Sequence, residues 1–228
     1  MTGNGSHGRY LIYTFICYSL AIKMSSAGPK LLIGTSNEGK IRELREMLGE
    51  LPIDLCNLNQ FPNVVEVEET GSTFADNARL KAIGYAQQSG LVTLADDSGL
   101  EVAALGGRPG VLSARYGGEA TGFDEKIRLL LDEVRKAGGD RGARFVCSIC
   151  VATPAGEILA ETEGVCPGSV ADAPLGDLGF GYDPIFIPDG FDETFGEISS
   201  AKKAPLSHRG RAFLQIIPFL RHFFGVST

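Results

Sequence analysis

Residues 31–40 read Leu31-Leu32-Ile33-Gly34-Thr35-Ser36-Asn37-Glu38-Gly39-Lys40. The apolar run reads as a buried strand. The turn after it offers backbone N–H groups and a lysine to a phosphate. Gly34 and Gly39 are five apart and Lys40 follows, as in a phosphate-cradling P-loop, but position 41 is Ile where that loop carries Ser or Thr. The missing hydroxyl is the Mg²⁺ ligand of a P-loop enzyme. Any metal in this chain must therefore take its ligands from elsewhere.

Beyond the cradle, Ile41, Leu44, Leu48 and Leu51 recur at helical spacing, and Gly49 and Pro52 end that helix. Residues 53–58 suggest a short strand, and 59–71 are polar and acidic. A second helix is expected over 73–88, capped by Ser72 or Thr73. Its inner stripe carries Asn77 and Lys81 beside Phe74, Ala78 and Tyr85. That lysine reads equally as one snorkelling at the edge of the core or as one aimed into a cleft. Residues 91–95 read as a buried strand ending at Asp96-Asp97-Ser98-Gly99. An ordinary turn explains Ser98-Gly99 but not two adjacent carboxylates, which need a cation or donors beside them. Further on, a helix over 124–136 stopped by Gly138-Gly139, a hairpin of 144–153 with 157–165, a strand at 185–187 and a last helix over about 207–224, irregular at Pro218, complete the reading.

The chain has 228 residues, 43% hydrophobic and 21% charged, with a net charge of −7. That composition suits a folded domain with a buried core. It argues against a general nucleic-acid grip, which needs a basic face. Five cysteines without regular spacing do not form a disulfide framework. Cys147 and Cys150 lie three apart on an expected strand, so they face opposite ways and read as core residues. The apolar stretch 10–22 is short of the roughly 20 residues of a membrane span. With Leu31 already opening the core, residues 1–29 are expected to lie outside the fold, with translation starting at Met24, and 30–228 to form one domain.

Three groups carry further chemistry. The acids Glu68, Glu69, Asp96 and Asp97 offer hard oxygen ligands suited to Mg²⁺. Gly179-Phe180-Gly181-Tyr182-Asp183-Pro184 lets backbone approach a flat ligand and offers stacking faces. Lys202-Lys203 and Ser207-His208-Arg209-Gly210 place cations and donors at a helix start. Each group alone is also what solvated charges and turns look like.

Together, and in order, they resemble the inosine triphosphate pyrophosphatase family. The resemblance runs from Leu31 to the C-terminal helix through Thr35-Ser36-Asn37-Glu38-Gly39-Lys40, Glu68-Glu69-Thr70-Gly71, Asn77 to Ala82, Ala95 to Leu100, Leu105 to Gly110, Ser113 to Tyr116, Phe180 to Pro184 and Ser207 to Gly210. Serine at 36 stands where the family often has glycine. The resemblance implies an α/β fold with an elongated central mixed sheet flanked by helices, and two lobes with a nucleotide cleft between them. It implies hydrolysis of ITP, dITP and XTP to the monophosphate and pyrophosphate. Thr35 to Lys40 and Lys81 would then meet the phosphates, Ser98 would also bind substrate, Glu68 and Asp97 would hold Mg²⁺, and Asp97 would be the general base. Phe180, Gly181, Tyr182, Asp183, Lys203, His208 and Arg209 would hold base and ribose. Glu69 is left as a further acid or a solvent-facing residue. A cytoplasmic homodimer is also implied, with no nucleic-acid or membrane partner. The rivals are a P-loop-like NTPase or kinase, a non-catalytic purine nucleotide sensor, and the related Maf-type pyrophosphatases.

Overall fold

The computed structural model describes residues 28–225 except Glu50 and Gly139. The expected N-terminal extension up to residue 27, with Cys17 and the apolar stretch, lies outside the described residues, as does half of the Gly138-Gly139 stop. The fold is α/β. Its strands are β1 (Lys30–Ile33), β2 (Asp54–Asn57), β3 (Thr93–Val102), β4 (Gly142–Ala152), β5 (Ile158–Val170) and β6 (Phe186–Pro188), in the sheet order β2-β1-β3-β4-β5-β6. β1 runs parallel to β2 and β3, and the other pairs are antiparallel, so the sheet is mixed. The helices are α1 (Glu38–Leu48), α2 (Phe74–Ser89), α3 (Phe123–Lys136), the single turn α4 (Ser200–Lys203) and α5 (His208–Phe223).

Helices α1 and α2 begin where their caps allow. Asn37 Oδ1 accepts the Lys40 N–H at 3.1 Å, and Thr73 Oγ1 accepts the Asp76 N–H at 3.1 Å. α5 runs on through Pro218, so the expected irregularity does not interrupt it. The larger departure is β3. It does not stop before Asp96 but continues to Val102, paired residue by residue with β4. The short strand is β1, whose pairing with β3 ends at Ile33 opposite Leu94. Asp96 and Asp97 therefore sit inside β3, just past the point where its parallel neighbour turns off into the cradle.

Alternation along β3 sorts the interior. Leu94, Leu100 and Val102 are apolar on one face, with Asp96 and Ser98 between them. Leu94 joins a core with Leu31, Ile33, α1 and α5, while Leu100 and Val102 join a second core with α3, Tyr182 and Phe186. The opposite face carries Ala95, which packs with Ala78 and Ala82 of α2. Cys147 and Cys150 divide between these two faces as their spacing requires, and burial pushes the Cys150 thiol up to about 12.

Candidate active site

The cradle closes on the edge of β3. Gly34 N–H donates to the Leu94 carbonyl at 2.8 Å, and Thr35 Oγ1 accepts the Asn37 N–H at 3.2 Å. Ser36, Asn37 and Glu38 are exposed, as residues meeting a ligand from solvent would be. Lys40 turns inward, with Nζ 3.2 Å from Asp96 Oδ2.

The two aspartates do not share a site, because adjacent strand residues face opposite sides. Asp97 looks toward α2, where Asn77 Nδ2 donates to Oδ2 at 3.0 Å and Lys81 Nζ to Oδ1 at 3.1 Å. Lys81 is thus aimed at the acids rather than snorkelling outward. It also meets Glu69 Oε1 at 2.6 Å, with Arg115 Nη2 3.7 Å from Glu69 Oε2. Burial pushes the Asp97 carboxyl above its ordinary pKa, and the charges of Lys81 and Lys40 offset only part of that rise. Glu69 is also penalised by burial, but Lys81 wins there and holds it below the ordinary value.

Asp96 looks the other way, toward α5. It is fully buried, and Arg209 Nη2 and Nε donate to its Oδ2 at 3.0 and 3.2 Å. Burial would raise this acid, but Lys40 and Arg209 hold it well below the carboxylate range. Arg209 is 1% exposed and also donates to Ser98 Oγ at 2.9 Å and to Glu43 Oε2. Glu43 accepts from Lys203 Nζ at 2.9 Å, and Lys203 meets Asp183 Oδ2 at 2.6 Å. Asp183 Oδ2 in turn accepts the Phe180 N–H at 2.8 Å. One chain of charge-assisted contacts thus runs from Lys40 to Phe180.

A pocket opens beside this chain, lined by Asn37 and Lys40 together with Phe180, Tyr182 and His208. Tyr182 is buried and donates its hydroxyl proton to the Ser113 carbonyl at 3.0 Å. His208 stacks on Phe145, ring centroids 4.6 Å apart, and its Nδ1 is buried without a partner. Burial first, then the charges of Arg209 and Lys203, keep His208 well below pKa 6.5 and hence neutral.

That neutrality has a sign in stability. Unfolded histidine binds a proton below about pH 6.5 while buried His208 does not, so the unfolded state gains protons and stability is lost as pH falls. The expected slope approaches about 1.4 kcal/mol per pH unit between pH 6 and 5. Asp97 and Asp183, both raised, act with the opposite sign at lower pH. Thermal unfolding of wild type and His208→Gln from pH 7.5 to 5 checks this. The variant should lose less stability than wild type, and equal losses would refute the assignment.

Of the residues expected from sequence, Lys40, Ser98, Phe180, Gly181, Tyr182, Asp183, Lys203, His208 and Arg209 gather in this network and pocket, while Lys81 and Asp97 pair on the opposite face of β3. Glu68 does not join by any contact. It is exposed and forms no hydrogen bond or ion pair among the described residues, while its neighbour Glu69 does. No group of three or more His, Cys, Asp or Glu converges as a metal cage among the described residues. Sequence reasoning missed Glu43, which bridges Arg209 and Lys203. Its signal was a carboxylate three residues after Lys40, on the same helical face.

Comparison with known proteins places the fold. The Ham1 family model matches residues 31–219. A dITP/XTP pyrophosphatase of Prochlorococcus marinus strain NATL1A is 47% identical over 196 residues, covering 86% of this chain and 95% of the relative. One from Streptomyces coelicolor is 42% identical over 199 residues, covering 86% and 99%. The solved HAM1 protein of Coxiella burnetii superposes with a TM-score of 0.78 at 38% identity, covering 85% of this chain and 99% of that one. The Ham1 protein of Staphylococcus aureus gives 0.75 at 37% identity, covering 85% and 98%. The chain belongs to the Ham1 family.

Proposed function

We propose that the chain hydrolyses non-canonical purine nucleoside triphosphates, ITP, dITP and XTP, to the monophosphate and pyrophosphate, cleansing the nucleotide pool. The observation that carries this reading is Asp97, a buried carboxylate held by Asn77 and Lys81 next to a cradle of backbone donors and Lys40. Beside a triphosphate, such a group can take the proton of an attacking water. Cleavage between the α and β phosphates leaves two anions, and Lys40, Lys81 and the loop donors neutralise and position them.

Mg²⁺ fits the donor set. It takes one or two carboxylates and completes its shell with water and substrate phosphates. Asp97 was expected to hold it with Glu68. The shared contacts to Lys81 favour Glu69 as the partner of Asp97. When bound, the ion supplies charge neutralisation at the phosphates.

The purine reading rests on the aromatic and cationic lining of the pocket. Phe180 is the stacking platform, and the unpartnered His208 Nδ1 and the remaining N–H groups of Lys203 and Arg209 line the base edge. Arg209 has little donor capacity left, since Asp96, Ser98 and Glu43 already take four of its N–H bonds. Hypoxanthine and xanthine satisfy such donors with a 6-oxo acceptor. Adenine presents an amino group instead and leaves them unmet, at ~1–3 kcal/mol or roughly 5- to 150-fold. Phe180→Ala is expected to raise KM for ITP by a similar factor, the worth of one stacked base at ~1–3 kcal/mol, with a smaller effect on kcat. Steady-state kinetics check this, and an unchanged KM would remove Phe180 from the base site.

The two apolar cores on either side of Asp96 and Ser98 support a two-lobe arrangement with the nucleotide between them. A single six-stranded sheet supports treating residues 30–228 as one catalytic domain. No helix among the described residues is long and apolar enough to cross a membrane. A cytoplasmic homodimer without nucleic-acid partners follows from the family resemblance and is part of the same proposal.

A further inference from the structure

We propose that Gly39 is the seat of the base platform: its missing side chain lets the face of the Phe180 ring lie on the first turn of α1. This fixes which face the ring turns to the purine. The inference rests on the nucleotide reading above and assigns Gly39 a task other than making room for phosphate.

The backbone does not ask for glycine at this position. Gly39 is the second residue of α1 and is not among the glycines with positive φ. Alanine there would strengthen the helix. The demand comes from 141 residues further along the chain. A Cβ built on Gly39 would lie 2.8 Å from both Cγ and Cδ1 of Phe180 and 3.1 Å from Cδ2. Near-equal distances to three ring atoms place that carbon over the ring face, not beyond its rim.

The ring has little freedom to retreat. Its own N–H is bound to Asp183, which Lys203 holds from the other side. Gly179 and Gly181 flank it at φ +75° and +67°, conformations that set the ring's direction and that other residues rarely adopt. Lys203 Nζ and Arg209 Cζ stand 5.2 and 5.7 Å from the ring centroid. With part of one face seated on Gly39, a flat ligand has to take the other, sharing the ring with the Lys203 and Arg209 cations that lie over it. The pocket is lined by Phe180 but not by Gly39, as that division requires. Gly39 is therefore a positioning residue that acts through Phe180.

The test is Gly39→Ala, which the helix tolerates, measured alone and on a Phe180→Ala background. KM for ITP should rise at least about fivefold, the low end for losing a stacked base, with kcat nearly unchanged. Inhibition by inorganic pyrophosphate, which has no base, should stay the same. On the Phe180→Ala background the substitution should add nothing. An unchanged KM, an equal weakening of pyrophosphate inhibition, or a full effect without Phe180 would each overturn the assignment. Wild-type protein that releases no pyrophosphate from ITP would instead overturn the nucleotide reading itself.

Discussion

Asp97→Asn should lower kcat for ITP by roughly 10²- to 10⁴-fold, the usual worth of a positioned general base. Nucleotide binding should survive. The substitution keeps the shape of the side chain and removes only its charge and basicity. Asn77 and Lys81 both donate to Asp97, so the new amide must turn its oxygen to one of them and its NH₂ toward the other. That conflict costs some local order, but it lies on the face of β3 away from Arg209 and the Phe180 wall. Equilibrium binding of ITP to the variant, alongside single-turnover rates, separates lost chemistry from lost binding. Near-normal turnover would end the role assigned to Asp97.

Arg209→Met should be the most damaging change to stability. The guanidinium is buried and shared between Asp96, Glu43 and Ser98. Methionine fills much of the volume but leaves two buried carboxylates, Asp96 and Glu43, each short of a partner. Breaking such a pair from one side costs about 3–5 kcal/mol, because the remaining charge stays buried. For a chain of this size that is a fall in Tm of roughly 6–20 °C. Lysine should not rescue it, since one ammonium cannot reproduce the planar fork that reaches strand and helix together. Adding Asp96→Asn should recover part of the loss by removing one stranded charge. A shift below about 2 °C for the single variant would mean that the network contributes little to the fold.

The helices were legible because their apolar periods and caps are local. The spacing of Ile41, Leu44 and Leu48 and the cap at Thr73 need only a dozen residues of context. β3 was not, because Asp96-Asp97-Ser98-Gly99 has the composition of a turn. What carries the strand through is β4, and what neutralises Asp96 includes Arg209, 113 residues away. The same distance hid Glu43, whose partners lie 160 and 166 residues along the chain. Glu68 and Glu69 are adjacent acids in an irregular segment, and composition alone does not say which one turns inward. The structure does, through Lys81. Gly39 was legible as part of a cradle, but its contact with Phe180 belongs to tertiary packing alone.

The central claim is which bond breaks and in which nucleotides. It is tested most directly by incubating the protein with Mg²⁺ and ITP, XTP, dITP, GTP or ATP and identifying the products. Pyrophosphate with the nucleoside monophosphate is expected from ITP, XTP and dITP, with ATP slower by roughly 5- to 150-fold. Orthophosphate with the nucleoside diphosphate, or equal rates with ATP and ITP, would contradict it.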